Sequence, residues 1–70
     1  MRKPSTFYFN GQEYLTVELI TLSDLLNYFD YKSVLFVLEH NDYICNKSQW
    51  HKIQVKENDK IEIITIVGGG

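Results

Sequence analysis

Apolar and polar positions along the chain change period several times, and each change marks an element. Thr6-Phe7-Tyr8-Phe9 is an aromatic-rich strand, and Asn10-Gly11 follows it. That pair is the strongest two-residue hairpin signal, because both residues tolerate positive φ. The return strand Glu13-Tyr14-Leu15-Thr16-Val17 alternates with period two, so Leu15 and Val17 share a face. A helix comes next. Thr21 and Asp24 have the spacing of a capping box, and Leu22, Leu25, Leu26 and Phe29 fall at i, i+3, i+4 and i+7, one apolar stripe that reads as a core face. Ile20, just before the cap, is positioned to staple against Leu25. The stripe breaks near Asp30-Tyr31-Lys32-Ser33.

The second half reads as strands. Val34 to Leu38 is a nearly continuous apolar run, which predicts a strand covered on much of both faces. Asn41-Asp42 is a turn and Tyr43-Ile44-Cys45 a short strand. Asn46 can start a brief turn holding Lys47-Ser48-Gln49-Trp50, with Trp50 plugging the bottom of a small core. Glu57-Asn58-Asp59 leads into the last strand, Lys60 to Val67. The order ββ-α-ββ followed by an apolar strand predicts an α+β domain, one helix across one mixed sheet. Long exposed apolar edges aggregate, so the last strand is expected in mid-sheet. Residues 1–67 then form the domain and Gly68-Gly69-Gly70 a flexible tail.

Composition narrows the chemistry. Seventy residues make one domain near the lower size limit for an unstapled core. A formal charge of −2 with scattered cations provides no field for nucleic acid or an anionic membrane. No apolar run reaches spanning length, and Met1-Arg2-Lys3-Pro4-Ser5 lacks the apolar stretch of a signal peptide. The expected location is therefore the cytoplasm of a bacterium or the stroma of an organelle. Residue types with AT-rich codons point the same way: Phe, Tyr, Met, Ile, Asn and Lys supply 28 of 70 residues, and alanine is absent. Cys45 is the only cysteine and reads as a small buried hydrophobe. With His40 and His51 it shows none of the paired spacings of a zinc site, so no metal is expected. No paired carboxylates or histidine–nucleophile pair suggest catalysis, and the glycines form no phosphate loop because no helix follows them.

The chemistry-bearing feature is the close of the sequence, Ile66-Val67-Gly68-Gly69-Gly70. Residues without Cβ pass through channels too narrow for side chains. Gly68 and Gly69 are thus expected to enter partner active sites, and the Gly70 α-carboxylate is the group presented. The face upstream is legible too. Ile61, Ile63, Thr65 and Val67 share one side of the last strand; Glu62, Ile64 and Ile66 share the other. An ionised Glu62 is disfavoured in a core, so its side is expected to be open, with Tyr8 as a neighbour because Phe7 and Phe9 point inward. Tyr8, Glu62, Ile64 and Ile66 are the candidate docking residues.

The Asn10-Gly11 hairpin, the single helix, the Ser48-Gln49-Trp50 element and the closing Asp59-Lys60-Ile61-Glu62-Ile63 … Val67-Gly68-Gly69-Gly70 resemble the ThiS family of sulfur carriers in thiamine biosynthesis. The resemblance covers essentially the whole chain and implies a β-grasp, ubiquitin-like fold. Family members often carry Gly where Asp42 and Asn58 stand and Pro where Asn46 stands, and residues 1 to 5 are an extension. The resemblance implies that Gly70 is adenylated with ATP by an E1-like adenylyltransferase. It also implies sulfur from a cysteine desulfurase and delivery to thiazole synthase, with no cofactor bound by the carrier. The protein is then a consumed cosubstrate rather than an enzyme. Two alternatives share the fold: a molybdopterin-synthase sulfur carrier and a ubiquitin-like protein modifier, both ending in Gly-Gly. The former usually has prolines before its glycines, which Ile64-Thr65-Ile66-Val67 lacks. A third is a β-grasp module that binds partners noncovalently and has no need of a free glycine end.

Overall fold

The computed structural model describes residues 3–31 and 35–65. Strand β1 (Ser5–Phe9) turns back into β2 (Gln12–Thr16); then come helix α1 (Leu22–Tyr28), β3 (Phe36–His40), β4 (Tyr43–Cys45), a 3₁₀ turn (Lys47–Gln49) and β5 (Lys60–Thr65). The strands form one mixed sheet in the order β2-β1-β5-β3-β4. The last strand is central as expected, parallel to β1 and antiparallel to β3.

Local chemistry explains most boundaries. Asn10 and Gly11 have φ of 52° and 81°, and Asn41 and Asp42 have φ of 53° and 74°, the double positive φ that a tight two-residue hairpin turn requires. The capping box at α1 is complete: the Asp24 N–H donates to Thr21 Oγ1 at 3.1 Å, and the Thr21 N–H donates to Asp24 Oδ2 at 2.9 Å. The helix stops through a Schellman arrangement. Asp30, at φ 63°, donates its N–H to the Asn27 carbonyl, and Tyr31 donates to the Leu26 carbonyl. Asn46 caps the 3₁₀ turn by accepting from the Ser48 N–H at 3.1 Å, and its φ of −63° is one that proline also adopts.

The helix lies on one face of the sheet. Leu22, Leu25 and Leu26 of α1 are buried with Phe7 and Phe9 of β1, Leu38 of β3, Ile61 of β5 and Val55, and Leu22, Leu38 and Ile61 have no exposed surface. Aromatic rings extend this small core outward. Phe9 stacks on Phe29 with centroids 4.6 Å apart, and Phe36 stacks on Trp50 at 5.4 Å. Trp50 closes the core as predicted, its Nε1–H donating to the Cys45 carbonyl at 3.1 Å.

Three expectations need correction. The third strand is displaced toward the C-terminus, ending on Glu39 and His40 rather than Leu38, and Val34 lies outside the described residues. Its apolar run is not covered on both faces either: Leu35 is 72% exposed, and Val37 points away from the helix. One helix can cover only one side of the sheet. The return strand ends at Thr16 rather than Val17, and of its residues the core takes Tyr14 while Leu15 is 67% exposed.

A buried polar cluster joins the strand entry to the β3–β4 turn. The Asp59 carboxylate accepts from the Lys56 N–H at 2.9 Å and from Asn41 Nδ2 at 3.0 Å, and lies 2.9 Å from His40 Nε2. Asn41 exchanges two further bonds with the backbone of Lys60, at 2.7 and 2.8 Å. Burial alone pushes the Asp59 carboxyl up, but the bonds from His40, Asn41 and Lys56 and the charge of His40 outweigh it and hold the group below its ordinary range. A carboxyl with a depressed folded-state pKa stabilises the protein above the unfolded value of about 3.9 and loses that contribution as pH falls through the folded value. Thermal melts across pH 2–7 are therefore expected to show an acid limb that begins near pH 4. Asp59→Asn is expected to cost about 1–3 kcal/mol at neutral pH and to flatten that limb.

Candidate functional site

The site is built on β5, and its position follows from pairing. Register places Tyr8 beside Lys60 and Phe9 beside Ile61, while β3 pairs along the whole strand, from His40 opposite Ile61 to Phe36 opposite Thr65. Beyond Phe9 the first strand turns away, yet its turn still reaches β5: the Ile63 N–H donates to Asn10 Oδ1 at 2.8 Å, and the Asn10 N–H donates to the Ile61 carbonyl at 2.9 Å. Asn10 thus shapes the hairpin and clamps the central strand at once. Strand β5 is held on both flanks as far as Ile63. Ile66, Val67, Gly68, Gly69 and Gly70 lie outside the described residues.

The two faces of β5 divide as the alternation requires. Ile61 is fully buried and Ile63 packs against the core, whereas Glu62 is exposed and Ile64 is 45% exposed. Tyr8, Glu62 and Ile64 therefore share the helix-free face, but they do not form one contact. Tyr8 stands at the level of Lys60, four residues and roughly 13 Å along the strand from Ile64. The direct neighbour of Ile64 is Val37, its cross-strand partner on β3. Ile44 of β4, 68% exposed and opposite Glu39, extends the apolar patch toward the sheet edge. Val37, Ile44 and Glu39 were not singled out from sequence. Val37 hid inside an apolar run with no alternation, and the registers of β3 and β4 that bring it and Ile44 onto this face are long-range facts.

Other reactive groups have structural partners. Cys45 is half-buried against the core, and burial pushes its thiol up, which disfavours the thiolate a nucleophile needs. His40 is engaged by Asp59. Among the described residues no three His, Cys, Asp or Glu side chains gather as a metal site, and no helix is long and apolar enough to cross a membrane. What the geometry provides is a rigid central strand, an open apolar and acidic face, and a glycine-rich sequence after the strand.

The face assignment makes a paired prediction. Ile61→Ala removes methyl groups from a fully buried site and is expected to cost about 2–5 kcal/mol. Ile64→Glu, three residues along the strand and therefore on the open side, is expected to change stability by less than about 1 kcal/mol in the same denaturant titration. Comparable losses at both positions would place the core on the other face.

Comparison with known proteins agrees with this architecture. The structure superimposes on the crystal structure of the thiamine biosynthesis protein ThiS from Geobacter metallireducens with a TM-score of 0.78, at 20% identity, covering 93% of this chain and 99% of that one. A protein named ycf40 from Trieres chinensis is 65% identical over 65 residues, 93% of this chain and 89% of its own length. The sulfur carrier protein ThiS of Bacillus subtilis (strain 168) is 34% identical over 50 residues, 71% of this chain and 76% of its own. The family model for the ThiS family matches residues 7–70, from the first core aromatic through the last glycine. With the β-grasp sheet, the central β5 and the glycines beyond it all falling within that match, the chain belongs to the ThiS family of small sulfur carriers.

Proposed function

We propose that this protein carries the sulfur of the thiazole ring in thiamine biosynthesis, as a thiocarboxylate on Gly70. The observation that carries the reading is the family match running through Gly70, on a fold that holds the preceding strand in mid-sheet. A carboxylate resists nucleophiles because its charge is delocalised and repels them. An E1-like adenylyltransferase overcomes this by letting the Gly70 carboxylate attack the α-phosphorus of ATP, with pyrophosphate leaving. The terminal sulfur of a persulfide supplied by a cysteine desulfurase then attacks the acyl carbon and AMP departs; a thiol cleaves the resulting acyl disulfide, leaving the thiocarboxylate and a new disulfide, so one difficult substitution becomes a series of easier ones. Thiazole synthase receives the sulfur, and the carrier returns as carboxylate. The chain supplies presentation rather than catalysis: it is a cosubstrate whose reacting atom is positioned by partners.

The fold constrains how partners are arranged. Gly70 lies five positions beyond Thr65, a reach of about 17 Å at most, so each partner's catalytic pocket lies within that distance of the strand end. Docking on the face of Tyr8, Glu62 and Ile64, continued in sequence by Ile66, sets that distance. An organellar location is the reading we take with this proposal, alongside the similarity to the protein named ycf40.

Incubation with the adenylating enzyme, ATP and a sulfur source is expected to raise the intact mass by the difference between sulfur and oxygen. Removing Gly70, or adding a residue after it, is expected to abolish that gain with the melting midpoint unchanged. Gly69→Ala is expected to slow activation more than it alters stability. An extended chain that gains sulfur without being trimmed would refute the assignment to Gly70, and ladders of conjugates on other proteins would favour a modifier.

A further inference from the structure

The helix-free face carries a charge arrangement that the fold itself does not use. Glu39 of β3 and Glu62 of β5 are direct cross-strand partners, and both point away from the helix because Leu38 and Ile61 beside them point in. Side chains in that relation have Cβ atoms about 4.5–5.5 Å apart, and like charges there oppose folding. Among the described residues neither carboxylate has an ion-pair or hydrogen-bond partner. Lys60, on the same face, lies 3.6 Å from Asp42 instead. The pair is framed by apolar surface: Ile44 opposite Glu39 on one side, and the paired Val37 and Ile64 one pleat toward the tail. Ile44 and Ile64 are 68% and 45% exposed, more than a settled exterior needs next to two uncompensated charges.

We propose that this face docks a basic surface of the activating enzyme, with an arginine inserted between Glu39 and Glu62 and aliphatic side chains seated on Val37, Ile44 and Ile64. The proposal rests on the sulfur-carrier reading for the identity of the partner. The occupant follows from charge complementarity. A second copy of the chain would set two more glutamates against these, and nucleic acid or an anionic membrane would meet the same repulsion. A guanidinium suits the gap better than an ammonium, because its planar fork donates to two carboxylates at once and is more weakly hydrated. Covered by the partner's apolar rim, the contact is removed from water and strengthened, and repulsion that weakens the free carrier becomes attraction in the complex. The contact lies on the strand that precedes the glycines in sequence.

Stability and affinity are therefore expected to move in opposite directions. Glu39→Gln with Glu62→Gln removes the repulsion and is expected to raise the melting midpoint by roughly 1–4 °C. The same variant is expected to bind the adenylating enzyme of the same organism about 10- to 100-fold more weakly, with a shallower dependence on salt. Calorimetric titration at two ionic strengths reads both, with adenylation of the wild-type chain as the control. A wild-type chain adenylated normally and a double variant bound as tightly would overturn the docking alone. A wild-type chain neither bound nor adenylated would overturn the sulfur-carrier reading and the docking with it. A double variant that melts lower than wild type would also overturn it, since the pair would then be a structural asset. So would wild-type dimers in sedimentation that Ile64→Glu dissociates, because a second copy would then own the face.

Discussion

A strand can occupy the centre of a sheet only if both neighbours accept its backbone groups in one register, and in this protein the register of β5 is set at its entrance. The carboxylate of Asp59 gathers His40, Asn41 and the Lys56 N–H, while Asn41 and Lys60 exchange bonds. The carbonyl of Asp59 meanwhile accepts from the Tyr8 N–H at 2.8 Å. One residue thus joins three strands at the point where β5 begins. A slip of one position would turn Ile61 outward and Glu62 into the core, so the polar cluster and the apolar alternation enforce the same answer.

A domain this small has little core to spare, and its aromatic residues extend it. Among the described residues eight apolar ones are buried, and the rings of Tyr14, Phe29, Tyr31, Phe36 and Trp50 pack around them at partial exposure. Such rings contribute apolar area together with edge and face contacts of defined geometry. Coverage is asymmetric, however. All the packing is on the helix side, and the opposite face of β1, β3 and β5 keeps Tyr8, Val37 and Ile64 in or near solvent. One face makes the fold, and the other stays open.

Left-handed backbone positions are handled by asparagine and aspartate. Asn10, Asp30, Asn41, Asp42 and Asn58 all have positive φ between 52° and 74°. Their short polar side chains make that region less costly than it is for other non-glycine residues. Two of them repay the conformation with side-chain bonds a glycine could not make, Asn10 to the Ile63 N–H and Asn41 to Asp59 and Lys60.

Local signals in the sequence were enough to read the first hairpin, the helix with its capping box, the 3₁₀ turn, the separation of Ile61 and Ile63 from Glu62 and Ile64, and the alignment of the chain with a sulfur-carrier family. Each of these rests on neighbours within a few residues, or on the fixed two-residue period of a strand. Tertiary structure alone decided the rest. It moved the third strand onto Glu39 and His40, because pairing with β5 rather than apolar content sets where a strand ends. It exposed Leu15 and Leu35, because a single helix leaves one face uncovered. It separated Tyr8 from Ile64, since parallel pairing places Tyr8 at the start of β5 and not at its end. It also set Glu39 against Glu62 and buried Asp59 among His40, Asn41 and Lys56. These juxtapositions join residues about twenty positions apart, or only three in the case of Lys56, and no local pattern encodes the register that brings them together.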